Sequence, residues 1–475
     1  MSLSRLSLSF PGLARKLFKS ELLARSTIKT FTNQLTTDSH SQNEEEKEKE
    51  LNVIKSESQK QGGLILEEEE EEEEQGVRGT GGAEESARQK TERAEDIAKT
   101  IFSQKFVNDL DSERLLDITR RLGARDVYRM IERAIPETFQ KKKKNEMNLS
   151  RAVVGKSLSC FHVSMSAMIA NERFRDAFEL YELFERECEK IAPDVVMISL
   201  ATSALRRFET GCDDTAVELF VERANEKYLQ KRKNKKINAK KVNLLRYENA
   251  GLLPLDVIYE DDDYIAVNKT NGMASVTDPS VPSVSEFLIA LRKEQSKALS
   301  LSDINREERG VCHRLDKATS GVMLLAKHNV AHLELVSSFY RRKTTKKYHA
   351  IATGVLLSTD GTIDSKVENR EAISSYRVLE KLKKGQSSFI EVAPKTGRKH
   401  QIRVHLSSIG HPLLGDAMYT SIKARDRETK SMTPNGFFLH AHTLELEHPM
   451  LRGENRLKIE APLPKAFLAQ LDRLR

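Results

Sequence analysis

One carboxylate set among cations is the first place to look for chemistry. Asp316 lies in the stretch Gly310–Lys327, GVCHRLDKATSGVMLLAK, with His313, Arg314 and Lys317 beside it. That polar loop runs straight into Val322, Met323, Leu324, Leu325 and Ala326, an apolar segment of strand length opened by Gly321. A loop anchored by a buried strand is where a rigid scaffold presents a reactive group. A solvated loop with a local ion pair fits the same composition. Glycoside hydrolysis would need a second convergent carboxylate as acid or base, and only Asp416, beside a glycine turn, offers itself. Cys312 next to His313 reads as a small buried residue rather than a nucleophile. His400 and His405 lack the third ligand that a metal centre wants.

The surrounding pattern predicts the elements that must position these groups. Val257–Tyr259 and Tyr264–Val267 are β-rich and joined by four acids, Glu260–Asp263, which reads as a hairpin. Glu286–Lys293 reads as a helix. Val330, Leu333, Val336 and Tyr340 share one helical face that ends in the cations Arg341, Arg342 and Lys343. Tyr348, Ala350 and Ala352 alternate with His349 and Ile351, which places Tyr348 on one face of a strand. After the turn Thr396–Lys399, Ile402, His405, Leu406 and Ile409 fit a helix face stopped by Gly410. Arg403 is rotated off that face, on the side of His400 and Ser407. His442, Leu444 and Leu446 alternate along a late strand. Helices and strands mixed in this irregular order indicate an α+β fold.

These pieces carry a resemblance. VIYEDDDYIAVNKTNGM (Val257–Met273), HRLDKATSG (His313–Gly321), KKYHAIATG (Lys346–Gly354), TGRKHQIRVHLSSIGHPLLGD (Thr396–Asp416) and FLHAHTLELEHP (Phe438–Pro449) resemble, in order, the motifs of the RluA-type pseudouridine synthases. Members of that family isomerise uridine within RNA. The resemblance covers roughly residues 253–468. It implies a mixed, largely antiparallel central sheet with flanking helices and an RNA cleft across it. It implies Asp316 as the catalytic carboxylate, nucleophile or base, Tyr348 as the tyrosine that stacks on uracil, and Arg403 as the arginine that pairs with the aspartate. An adjacent guanidinium favours the ionised carboxylate and fixes its rotamer. Arg314, Lys317, Arg398, Lys399 and His400 suit phosphates beside a nucleotide flipped out of its stack, which costs roughly a few kcal/mol. Isomerisation gains and loses no electrons, so no cofactor and no metal is expected. The pattern departs at Thr270, where proline commonly follows Asn-Lys, and at Lys399, where threonine is usual.

Five segments are expected along the 475 residues. Residues 1–36 hold six cations against Glu21 alone and can form a basic amphipathic helix, the physical form of an organellar transit peptide, mitochondrial or alternatively plastid. Residues 37–92, with eight consecutive glutamates at Glu67–Glu74, read as a disordered acidic spacer. Residues 93–228 are helical in period. FRDAFELYELF (Phe174–Phe184), APDVVMISLATSAL (Ala192–Leu205) and DTAVELF (Asp214–Phe220) weakly resemble pentatricopeptide repeats, stacked helical hairpins that bind single-stranded RNA. A basic linker at 229–249 suits salt-sensitive RNA contact, and 250–475 is the catalytic domain. Hydrophobic content of 38% is low, but the deficit is concentrated in the first ninety residues and the lysine runs. The rest can bury ordinary cores. Four cysteines without CxxC spacing point to a reducing compartment. RNA is the expected partner, with no membrane, and the chain is expected to be a monomer. A non-catalytic RNA-binding or ribosome-assembly factor on the same scaffold is the alternative, opposed by the joint presence of Asp316, Tyr348 and Arg403.

Overall fold

The computed structural model describes residues 96–104, 107, 110–139, 149–208, 214–229, 255–276, 283–295, 297–305, 308–382, 386–420, 436–451 and 455–475. The expected transit segment, acidic spacer and nearly all of the basic linker lie outside the described residues. One compact unit comprises 93–210 and 220–475; a second comprises 1–92 and 211–219, of which 214–219 are described.

The helical part of the first unit contains α1 (Ala124–Ala134), α2 (Arg151–Ala170), α3 (Phe174–Glu187), α4 (Val195–Phe208) and α5 (Asp214–Ala224), whose first turns belong to the second unit. By length and composition α2 could cross a membrane, yet most of its apolar stretch is buried inside the protein. Its Phe161 packs edge-on against Phe184 of α3 with ring centroids 4.9 Å apart. Its His162 bonds Asp194 at 2.8 Å, and the same carboxylate accepts the backbone N–H of Met197 at 3.0 Å, capping the start of α4.

The remainder holds one sheet of nine strands. They are β1 (Asp256–Glu260), β2 (Tyr264–Lys269), β3 (Ser320–Ala326), β4 (Thr344–Thr353), β5 (Asp360–Asp364), β6 (Ile373–Leu382), β7 (Ser387–Pro394), β8 (Leu439–Glu447) and β9 (Arg456–Glu460). Their order is β1-β2-β3-β8-β4-β7-β6-β5, with β9 also paired to β8. Every pairing is antiparallel except β3 with β8, which is parallel. This is the expected α+β fold with a mixed, largely antiparallel sheet. The helices of this part are α6 (Val284–Glu294), α7 (Asn329–Tyr340), α8 (Gln401–Ser408) and α9 (Lys465–Leu474). Ser283 and Glu286 start α6 with a reciprocal capping box.

All seven residues of β3 are buried because both faces of the sheet are covered there. Met323 and Leu325 join Ile265, Val267, Phe287 and Leu288 on the α6 side. Val322 and Leu324 join Tyr264, Ala266, Ala331 and Leu335 on the α7 side. Around β4 and β7, Ala350, Ile390 and Val392 pack on Ile402 and Leu406 of α8. Ile351 on the opposite face packs with Phe467 and Leu471 of α9.

Helix α7 departs from the sequence expectation of a single apolar face. His332, Glu334 and Ser337 are buried as fully as Ala331 and Leu335. The helical part supplies the partners. Arg206 and Arg207 of α4 reach Glu334 at 3.6 and 3.2 Å. Tyr340 at the end of α7 meets His162 of α2 edge-on at 5.7 Å, and Arg342 pairs with Glu113 at 3.5 Å. The helices therefore pack on the sheet's own helix rather than standing as a free module.

Candidate active site

The loop carrying Asp316 is held from several sides before any ligand arrives. A turn closes where the Thr319 N–H donates to the carbonyl of Asp316 at 2.9 Å. The segment leaving β2 grips this turn: the Gly272 N–H donates to the Lys317 carbonyl at 2.8 Å, and the Asn271 amide donates to the Ala318 carbonyl. Lys269, fully buried at the end of β2, donates to the carbonyls of Met273 at 2.8 Å, Lys317 at 3.1 Å and Thr270 at 3.2 Å. All three ammonium protons are thereby used. Burial pushes the pKa of Lys269 down to about 7, and the Asp316 carboxylate opposes that push. On the other flank the Ser275 hydroxyl donates to the Leu315 carbonyl at 2.7 Å and accepts the Leu315 N–H at 2.9 Å.

His313 works inside the loop. Its Nε2 accepts the Leu324 N–H at 3.0 Å, which assigns the ring proton to Nδ1. Burial, aided by the Lys346 charge, lowers its pKa to about 3. It is a neutral strut between loop and strand. Where β3 begins, Gly321 has φ +115°, and a β-carbon there would sit 2.1 Å from the Ala441 carbonyl oxygen. Only glycine lets β3 and β8 approach along their parallel pairing.

At the cleft edge the Asp316 side chain is 23% exposed, with Arg403 Nη1 at 3.6 Å from Oδ2 and His400 Nε2 at 3.8 Å from Oδ1. Arg403 was expected to pair with this aspartate, but its tight partner is Asp416. There Nε and Nη2 make a bidentate pair at 2.7 and 2.9 Å, with the Asp416 side chain 1% exposed. The guanidinium lies over the rings of Phe437 at 4.3 Å and Tyr419 at 4.8 Å. Burial works against its charge, but the hydrogen bonds and charge of Asp416, then Asp316, outweigh it and raise its pKa. Arg403 is thus a cation fixed on three sides that turns its remaining nitrogen toward Asp316.

His400 takes a left-handed conformation, φ 56° and ψ 21°, ahead of α8. That turn aims its Nδ1 at the Tyr419 hydroxyl, 2.9 Å away. Burial, with Arg403 and Lys399 as further cations, holds it below the usual histidine range against the pull of Asp316. Ser407 donates to the Tyr419 carbonyl at 2.8 Å, so Arg403, His400 and Ser407 do share one side of α8. His405 faces elsewhere, bonding Ser374 and the Ser365 carbonyl at 3.0 Å each. It and His400 do not converge on an ion.

Tyr348 of β4 stands beneath the loop. Burial, then the Asp316 charge, push its phenol well up, so it stays protonated. A narrow cleft beside it is lined by His313, Leu315, Lys346, Ala441 and Thr443. The structure thus brings Asp316, Tyr348 and Arg403 together. Arg314, Lys317 and Lys399 are exposed, placed for an anion outside; Arg398 commits its Nε to the Glu371 carbonyl at 3.1 Å. Sequence reasoning missed Lys269, Ser275, Tyr419 and Phe437, and placed Asp416 beside a glycine turn without pairing it to Arg403. Among the described residues one group, Asp261, Asp263 and His448, is close enough to hold a metal ion. Its atoms are already engaged: Asp261 takes His448 at 2.8 Å and the Asp263 and Tyr264 N–H groups, and Asp263 takes His328 at 2.8 Å.

Comparison with known proteins matches residues 263–408 to the RNA pseudouridylate synthase family model. An uncharacterized RNA pseudouridine synthase of Bacillus subtilis (strain 168) is 34% identical over 238 residues, 47% of this chain and 74% of that protein. The ribosomal large subunit pseudouridine synthase D of Pseudomonas aeruginosa is 35% identical over 244 residues, 47% of this chain and 72% of that protein. Among solved structures, human RNA pseudouridylate synthase domain containing 4 is 26% identical, covering 46% of this chain and 92% of its own, with a TM-score of 0.35.

Proposed function

This chain belongs to the RNA pseudouridylate synthase family, an isomerase acting on RNA, and from that membership we propose that Asp316 is the carboxylate that carries the reaction. The observation that carries the reading is one exposed-edge carboxylate with a fixed guanidinium 3.6 Å away and a protonated tyrosine below it. Isomerisation breaks the bond between the ribose carbon and N1 of uracil, turns the base, and joins the same carbon to C5. The proton lost from C5 balances the one gained at N1.

Asp316 serves either by attacking that sugar carbon or by taking, and later returning, a proton of the neighbouring sugar carbon, and both need an ionised group in a fixed rotamer. Arg403 supplies that orientation because Asp416, Phe437 and Tyr419 hold it still. Tyr348 offers a ring face for the flipped uracil and an O–H as hydrogen-bond donor. Arg314, Lys317, Lys399 and His400 hold phosphates beside the flipped nucleotide, with Arg398 beside them.

We further propose that the RNA is ribosomal or transfer RNA of an organelle. The support is the basic, acid-poor composition of residues 1–36. Pseudouridine mapping of mitochondrial RNA, with and without the protein, tests both points. Loss of specific pseudouridines from mitochondrial ribosomal or transfer RNA is the expected result. Sites lost from plastid RNA instead would select the plastid, sites lost from cytosolic RNA alone would overturn the location, and an unchanged map everywhere would overturn the activity.

A further inference from the structure

A cavity near the sheet lies apart from the cleft beside Tyr348. It lies between α4, the turn from α7 into β4, and the end of β8, with a volume of about 340 Å³. That falls within the roughly 300–1,000 Å³ of ordinary ligand pockets. Four cations line it, Arg206, Arg207, Arg341 and Lys343, against Glu172 and Glu447. Behind them stands Glu334, 1% exposed and shared by Arg206 and Arg207.

The arginines do not have equal freedom. Arg206 is committed to the carbonyls of Pro449 and Met450 at 3.0 Å each. Arg207 uses Nη1 on Ser203 and Glu334. Arg341 keeps a buried Nε without a hydrogen-bond partner, and burial together with the neighbouring Arg207 charge lowers its pKa to about 10. A buried donor left unmatched pays its desolvation without return, and an incoming acceptor recovers that cost. An excess of guanidinium over buried carboxylate, with an unmet donor, asks for an anion. Planar guanidinium groups fit phosphate oxygens in particular.

The place matters as much as the charge. Lys343 directly precedes β4, and Tyr348 lies five residues further on. At about 3.4 Å per residue the two are about 17 Å apart. Lys346, two residues before Tyr348 and on its face of the strand, lines the cleft beside Tyr348. Chain flanking a nucleotide at Tyr348 can therefore run along β4 to the pocket.

We propose that this seam is a second RNA site, seating a phosphodiester of the strand that flanks the reacting uridine on Arg207, Arg341 and Lys343. The proposal rests on the reading of the chain as an RNA enzyme and makes the helical part a working component of substrate binding. The test uses the full chain and fluorescent oligouridylates of two lengths, one filling the cleft alone and one long enough to reach the seam. Phosphate contacts are indifferent to sequence, so oligouridylate suffices.

Arg341→Gln with Lys343→Gln should weaken the long RNA several-fold and leave the short one unchanged. The salt slope of long-RNA binding should shrink by about 0.7 per cation removed. Arg341→Lys should restore most of the affinity, which a merely structural role would not require. If Arg341→Gln fails to fold, exposed Lys343→Gln alone must still flatten the slope. Equal loss on both lengths, or no loss on either, overturns the proposal. Polyglutamate or free inorganic phosphate displacing the long RNA from the wild type but not from the double variant would assign the pocket to an acidic protein or a free anion instead. Failure of the wild type to isomerise uridine would sink the reaction reading while leaving the binding result intact.

Discussion

Replacing Asp416 by asparagine should damage both stability and turnover while leaving RNA affinity nearly intact. The side chains of Asp416 and Arg403 are 1% and 8% exposed and share two hydrogen bonds at 2.7 and 2.9 Å. Removing one partner of such a pair leaves a buried uncompensated charge, worth about 3–5 kcal/mol. Asparagine keeps one acceptor, so the lower end, about 3 kcal/mol, is expected. At about 2.1 cal/mol/K of unfolding entropy per residue, each kcal/mol moves the melting temperature of so large a unit by about 1–2 °C, giving a fall of about 3–6 °C. Arg403, no longer anchored, also loses its setting beside Asp316, and a misplacement of about 1 Å can reduce a rate about 10²-fold. Thermal melts and single-turnover assays on one preparation measure both. The double change Asp416→Leu with Arg403→Met separates the effects: apolar replacement of both partners should recover stability, while activity stays lost. A variant Asp416→Asn that melts and turns over like the wild type would refute the claim that this pair holds the site.

Lys269→Met should change how stability depends on pH. The folded pKa, about 7, lies below the ordinary 10.5, so between those values the unfolded chain binds a proton that the folded chain has shed. Wild-type stability therefore gains from this group as pH rises above about 7, by up to about 1.4 kcal/mol per unit, and the variant should lack that gain in urea midpoints compared across the window. Gly321→Ala forces a β-carbon to 2.1 Å from the Ala441 carbonyl and should cost more than about 4 kcal/mol, seen as loss of soluble folded protein; a wild-type melt would contradict it. Tyr348→Phe keeps the ring face and should bind RNA normally but turn over more slowly, and an unchanged rate would remove the hydroxyl from the mechanism.

The site's three central residues were singled out by the resemblance of their motifs; local pattern alone put Asp316 on a loop, Tyr348 on a strand face and Arg403 off the apolar face of α8. The buried strand β3 was legible too, since a strand covered on both faces is apolar throughout. Strands β5 to β7 were less so, because polar residues dominate their exposed faces; β6 buries Ser374 and Leu382 and none of the residues between. The polar face of α7 pointed to solvent in the sequence, yet Glu334 meets Arg207 from 127 positions away. Asp416 lies 13 residues beyond Arg403, outside any helical spacing, so it read as a turn residue. Buried lysine is rare by composition, and the role of Lys269 appears only once three carbonyls of two loops surround its ammonium.

Asp316→Asn tests the central claim most directly, because it keeps the side chain's shape and removes its charge. Single-turnover conversion of a uridine-containing RNA, scored as carbodiimide-dependent reverse-transcription stops, should vanish while the protein folds and binds that RNA. Adding Arg403→Ala should cost little more, since groups acting as a unit are strongly non-additive. Pseudouridine formed by Asp316→Asn at a rate near the wild type's would contradict the assignment of the catalytic carboxylate.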